Sequence, residues 1–91
     1  MSKINIVRKH SLNSKSIHKK VQELADKLAE DLAADYSWEE DRLVFKRTGA
    51  HGFVRMGKGE LEIEVNLGLM FRPLKSTIEK TITDYLDESL G

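Results

Sequence analysis

From residue 60 the chain reads ELEIEVNL, in which Leu61, Ile63, Val65 and Leu67 alternate without a break with Glu60, Glu62, Glu64 and Asn66. Successive side chains of an extended strand point to opposite faces, so this octet has one apolar face and one polar face. A strand with one dry and one wet face belongs in an antiparallel sheet covered on a single side. A cover lies upstream, where Ile17, Val21, Leu24, Leu28 and Leu32 recur at steps of four, three, four and four. That spacing predicts an amphipathic helix of about five turns ending near Ala34, with Ala25 and Ala29 permitting close packing.

The remaining segments fall into place around this pair. KINIVR at 3–8 is rich in β-branched residues, has Ile4 and Ile6 on one face, and reads as a strand. SLNS follows, and its Ser11, Asn13 and Ser14 are candidate helix caps. YSWEEDRLVFKR has period two and predicts a strand from about 36 to 47, with the acidic EED as a point of possible interruption. TGAHG is a turn, FVRM a short strand and GKG a tight turn. After GLMFRP, Pro73 is placed to open a second helix as its first residue, with Leu74, Ile78, Ile82, Tyr85, Leu86 and Leu90 as its stripe. The expected order is β-α-β-β-β-α. This is an α+β two-layer sandwich, a four-stranded, largely antiparallel sheet with two helices on one face. Residues 1–91 form one domain.

Composition removes several function classes. With no cysteine, disulfides, thiolate metal sites and thiol catalysis are excluded together. No apolar run has signal-peptide length or approaches the roughly 20 residues of a membrane span, so a soluble cytoplasmic protein is expected. The formal net charge is zero, but it is a sum of blocks. Residues 1–20 carry six cations and no acid, 21–41 carry eight acids against Lys27, 42–59 carry five cations, and 60–91 carry seven acids and three cations. A dedicated nucleic-acid binder is usually basic overall, which disfavours that class without removing a local basic face.

VRKHSLNSKSIHKK, residues 7–20, concentrates two histidines, three serines and a run of cations. His10 and His18 are eight residues apart on different elements and His51 lies in a separate turn. Helical zinc sites want ligands four apart plus a third group, so no metal site is expected. A Ser–His–acid triad has equally little support. The run is read mainly as a structural junction, with His10 bonding nearby backbone and Ser11 or Ser14 capping the helix. Glu60, Glu62 and Glu64, like the run Glu39, Glu40 and Asp41, lack the cleft that perturbs catalytic carboxylates, and are read as solubilising.

The apolar pattern is more informative. RLVFKR and FVRM carry hydrophobic residues on both faces. If Leu43 and Phe45 face the helices, Val44 faces outward, and so does one of Phe53 and Val54. With Trp38 nearby, the open sheet face either carries an apolar patch bordered by Arg42, Lys46 and Arg55 or is an edge of the core partly covered by the GLMFRP segment. GLMFRP gathers Leu69, Met70 and Phe71 in a connection, either tucked over the helix–sheet seam or standing out as a contact point.

These residues also carry a resemblance. IVRKHSL, a long Ala- and Leu-rich helix, and then YSWEEDRLVFKRTGAHGFVRMGKGELEIEVNLGLMFRPLKSTIEKTI are similar to the small bacterial family of polyhydroxyalkanoic acid system proteins. The matching parts are R-K-H-S-L, Y-x-W, F-x-R-x-G, V-x-L-G and L-K-x-x-I-E, and the likeness runs nearly end to end. It implies a place in the synthesis or storage of polyhydroxyalkanoate, the polyester kept as cytoplasmic granules, and brings no catalytic residues with it.

The resulting expectation is a non-catalytic accessory protein without cofactor or metal, attached to granules or granule proteins, and a homodimer. The expected contacts are Trp38, Phe53, Leu69, Met70, Phe71 and Arg72, with Arg8, Lys9, Lys15, Lys19 and Lys20 turned toward an anionic surface. One alternative is a small nucleic-acid-binding domain using the cations of residues 8–20 and 42–58. Another is a small-ligand domain, because the order resembles a shortened helix-grip lipid-binding fold with a pocket between the sheet and the C-terminal helix.

Overall fold

The computed structural model describes residues 2–90. Strand β1 spans Ser2–Lys9, helix α1 Ser14–Leu32, β2 Asp35–Glu39, β3 Arg42–Arg47, β4 Ala50–Gly57 and β5 Glu60–Leu67. A 3₁₀ turn, Leu69–Leu74, leads into helix α2, Lys75–Leu90. The sheet order is β1-β5-β4-β3-β2 and every pairing is antiparallel. The α+β class and antiparallel sheet agree with expectation, but there are five strands where four were expected.

The extra strand arises because the predicted 36–47 segment is a hairpin. Glu40 takes a left-handed backbone, φ 56°, and the chain reverses so that Trp38 lies opposite Leu43 and Glu39 opposite Arg42. The signal was in the spacing. Trp38 and Leu43 are an odd number of residues apart, so one continuous strand would set them on opposite faces, whereas a two-residue turn sets them on the same one.

Helix α1 begins where Asn13 accepts a hydrogen bond from the Ser16 backbone N–H at 2.8 Å, so Asn13 and not Ser11 or Ser14 is the cap. It ends at Ala33, left-handed at φ 53°, whose N–H returns to the Ala29 carbonyl. At about 1.5 Å per residue its 19 residues extend roughly 28 Å. The two outer strands of a five-stranded sheet are four spacings, about 19 Å, apart. The helix is therefore long enough to carry the chain from one sheet edge, β1, to the other, β2. It packs on β2, β3 and β4, while α2 packs on β1 and on α1. Pro73 sits within the 3₁₀ turn and does not open α2, which starts two residues later.

One core results. Ile17, Val21, Leu24, Ala25, Leu28 and Leu32 of α1 and Ile78, Ile82 and Leu86 of α2 meet Ile4, Leu43, Phe45, Val54, Leu61, Ile63, Val65 and Leu67 of the sheet. No polar or charged residue among those described is buried with them. The volume between the sheet and α2, where a helix-grip pocket was considered, holds the buried side chains of Ile78, Ile82 and Leu86.

Gly52 is the tightest point of the sheet. It pairs with Phe45 on one side and Val65 on the other. A Cβ there would fall on the Glu64 carbonyl oxygen and stand 3.0 Å from the Phe45 ring. Gly52→Ala should therefore displace backbone and destabilise the fold by roughly 1–3 kcal/mol, as overpacked cores do. Chemical denaturation of both proteins checks this, and equal midpoints would refute it.

Candidate interaction surfaces

The 3₁₀ turn is fastened at its start and middle. The Gly68 N–H donates to the Gly49 carbonyl at 2.7 Å, and the Phe71 N–H to the Gly68 carbonyl at 3.1 Å. Phe71 points inward, 8% exposed, beneath the Arg47 guanidinium, whose central carbon lies 4.8 Å from the ring centre. Arg47 also donates to the Leu32 carbonyl at 2.9 Å, tying the turn to the end of α1. With Phe71 as anchor, Leu69 and Met70 project outward at 77% and 71% exposure, followed by exposed Arg72 and Leu74. The segment thus divides between the two arrangements expected of it. Phe71, named as a contact residue, is tucked in, whereas Leu69 and Met70 stand out.

The sheet face turned away from the core is organised differently. Val44 and Phe53 are direct cross-strand partners on it, both half-buried. The Arg42 guanidinium lies 5.5 Å from the Phe53 ring centre. With Lys46, His51, Glu64 and Asn66 they line a shallow groove of about 490 Å³. Arg42 and Lys46 border this pair as expected, while Arg55 is drawn aside by Glu62. Lys3 meets Glu64 at 3.2 Å and Arg42 meets Glu39 at 3.7 Å. Glu64 is held below the ordinary carboxylate range, first by the hydrogen bond from Asn66 and then by Lys3. These acids are engaged in cross-strand pairs on a strand face.

Trp38 is not on that face. Its cross-strand partner is the buried Leu43, and its ring stacks on His18 of α1, with centroids 4.1 Å apart and planes 11° apart. Its indole N–H donates to Gln22 Oε1 at 2.9 Å. Gln22 Nε2 donates to the Tyr36 hydroxyl at 2.6 Å, and that hydroxyl donates to Asp26 Oδ1 at 2.5 Å. Sequence reasoning missed this cluster. Its signal was the i, i+4, i+8 spacing of His18, Gln22 and Asp26, which puts all three on one stripe of α1.

The basic residues divide between β1 and α1. Arg8 is bound to Asp87 of α2 at 2.7 Å. Lys9 ends β1, and exposed Lys15 and Lys19 lie one turn apart on α1, with Lys20 half-buried beside them. His10 closes the strand exit: its N–H donates to the Gly59 carbonyl at 3.0 Å, and its Nδ1 accepts from the Leu12 N–H at 3.1 Å. This is the structural junction expected of it. Among the described residues, no three His, Asp or Glu side chains are grouped to hold a metal ion, and no helix is long and apolar enough to cross a membrane.

Residues 4–90 match the model of the family described as "Putative polyhydroxyalkanoic acid system protein". The chain belongs to this family. The match covers every element from β1 through α2, so the polyhydroxyalkanoic acid system protein family is defined over this whole fold. No curated protein and no solved structure gives a significant match.

Tyr36 keeps its proton to higher pH than an ordinary tyrosine, first because its hydroxyl donates to Asp26, then through desolvation and the Asp26 charge. A raised folded-state value contributes stability that is full below the unfolded value of about 10 and is lost as pH climbs through the folded one. Asp26→Asn should lower the titration of Tyr36 and leave that of Tyr85, which is raised chiefly by burial. Near-ultraviolet absorbance against pH reads both phenols, and two unchanged transitions would contradict the assignment.

Proposed function

We propose that this protein is a non-catalytic binding component of polyhydroxyalkanoate storage in the cytoplasm, attached to the polyester granule surface through Leu69 and Met70. The observation that carries the reading is the projection of two large apolar side chains from a turn whose neighbour, Phe71, is anchored. Isolated exposed leucines are ordinary. A pair of apolar residues held on a fastened turn is preorganised to enter an apolar phase, because little side-chain or loop ordering remains to be lost on contact. Arg72 beside them suits the polar rim of such a contact. The family's link to polyhydroxyalkanoic acid supplies the apolar phase.

This reading moves the contact from Phe71 and Trp38, both engaged internally, to Leu69 and Met70. It also separates granule attachment from the cations. Burying one such side chain is worth about 1.5–3 kcal/mol, against about 0–1 kcal/mol for an exposed charge pair. Nucleic-acid binding by Lys9, Lys15, Lys19 and Lys20 would instead fall steeply as salt rises.

The test is co-sedimentation with isolated granules across a salt series. Wild-type binding should persist at high salt. Leu69→Ser and Met70→Ser should each weaken it by roughly tenfold or more, with the denaturation midpoint nearly unchanged because both side chains are already exposed. Phe71→Ser should lower stability. Granule binding unaffected by the paired Leu69→Ser/Met70→Ser change would end this assignment.

A further inference from the structure

The sheet has two open edges, β1 and β2, and they carry opposite charge. β1 contains Lys3, Arg8 and Lys9 and no acid, while β2 contains Asp35 and Glu39 and no cation, with Glu40 and Asp41 following. Across the face turned from the core, the strands bear charge by column. Asp35 and Glu39 lie on β2, Arg42 and Lys46 on β3, Arg55 on β4, Glu60, Glu62 and Glu64 on β5, and Lys3 and Lys9 on β1. The ion pairs Glu39–Arg42, Arg55–Glu62 and Glu64–Lys3 each join neighbouring columns. From β2 to β1 the signs run acidic, basic, basic, acidic, basic, with Arg42 directly opposite Arg55 where β3 meets β4, so the two outer strands end the sheet with opposite charge.

We propose that the β1 edge of one copy of this chain binds the β2 edge of a second copy, continuing the sheet. Among the described residues, no backbone bond outside the sheet ladder and no side chain reaches the backbone of either strand. Both edges therefore keep a row of unpaired donors and acceptors, the usual template for strand addition. Charge on an edge strand ordinarily guards against such pairing. Here it guards only against like edges. Two β1 strands would set cations against cations, and two β2 strands acids against acids. β1 against β2 in parallel register sets Lys3 opposite Asp35 or Lys9 opposite Glu39, with the second cation two residues out of step with the second acid, still a diagonal neighbour.

Four antiparallel steps separate β1 from β2, so the two strands run in the same direction within the chain. A copy added along the sheet, rotated so that it continues the sheet's twist, meets the edge in parallel register, and each addition leaves a fresh edge at either end. The contact is heterologous and yields a ladder of species, not a closed dimer. β2 has only five residues, which keeps each contact small and the association weak.

Sedimentation velocity over a concentration series at low salt tests this. The wild type should show a rising weight-average sedimentation coefficient that falls back as salt is added. Lys3→Glu/Lys9→Glu makes both edges acidic, and Asp35→Lys/Glu39→Lys makes both basic, so each variant alone should lose association by roughly tenfold or more. Mixed in equal amounts, they should regain it, because each then offers the edge the other lacks. The reversals also disturb the Lys3–Glu64 and Glu39–Arg42 pairs, so Lys3→Gln/Lys9→Gln and Asp35→Asn/Glu39→Gln accompany them, with folding checked by circular dichroism. Alone, these neutral variants should associate more weakly than wild type; mixed, they keep one unaltered contact, β2 of the first with β1 of the second, and should stop at the heterodimer instead of forming a ladder. A wild type monomeric throughout, neutral variants that associate like wild type, or folded charge-reversed variants that stay monomeric when mixed would overturn the proposal. Leu69→Ser/Met70→Ser should leave the association intact, so its failure and that of granule attachment are separately visible.

Discussion

Burial of one face of β5 is the constraint from which the other elements follow. Leu61, Ile63, Val65 and Leu67 are each no more than 1% exposed, and their strand is bonded on both sides, to β1 and to β4. A one-residue slip of β5 would carry all four to the solvent face and bring Glu60, Glu62, Glu64 and Asn66 into the core. At about 1.5–3 kcal/mol for each buried aliphatic side chain, and more for each buried unpaired carboxylate, no other register competes. With β5 fixed, β1 and β4 are in register, and the rest of the meander is indexed from them. Buried residues of both helices then join the apolar residues of this register in one core.

Ion pairs do little of that work. Those on the polar face are largely exposed, and such pairs stabilise by about 0–1 kcal/mol each. Their arrangement by column still leaves the two outer strands with opposite charge. Selectivity between edges needs only a difference between attraction and repulsion, and modest energies suffice for that.

The main elements were legible because their periods are unmistakable: alternation in β1 and β5, and steps of three and four in α1. The β2–β3 hairpin was legible only as an interruption at EED, where it falls, and not as a reversal, because Glu40 is an unusual occupant of a left-handed turn and no glycine or proline marks it. Trp38 was misplaced for the same reason. Read on a continuous strand it belongs near Val44, whereas the hairpin turns it toward α1 and into the stack with His18. Asn13 was visible as a cap candidate, but three polar residues stood together and only geometry separated them. For the connecting segment, composition named Leu69, Met70 and Phe71 as a unit. Their division depends on Arg47 and Gly49, more than twenty residues away in sequence, which no local pattern reports.

That division bears on how a small domain keeps apolar residues in water. Leu69 and Met70 each forgo the burial that stabilises their neighbours, and the turn that presents them would be tighter folded against the sheet. It is held open by specific contacts, the Gly68–Gly49 backbone bond and the stacked Phe71–Arg47 pair, and not by absence of packing. A loosely tethered loop would let the same residues collapse onto the nearest apolar surface. Because Phe71 occupies the available site beside Gly49, Leu69 and Met70 are left outside it. The anchored aromatic is thus what holds the turn in the form from which the two exposed side chains stand out.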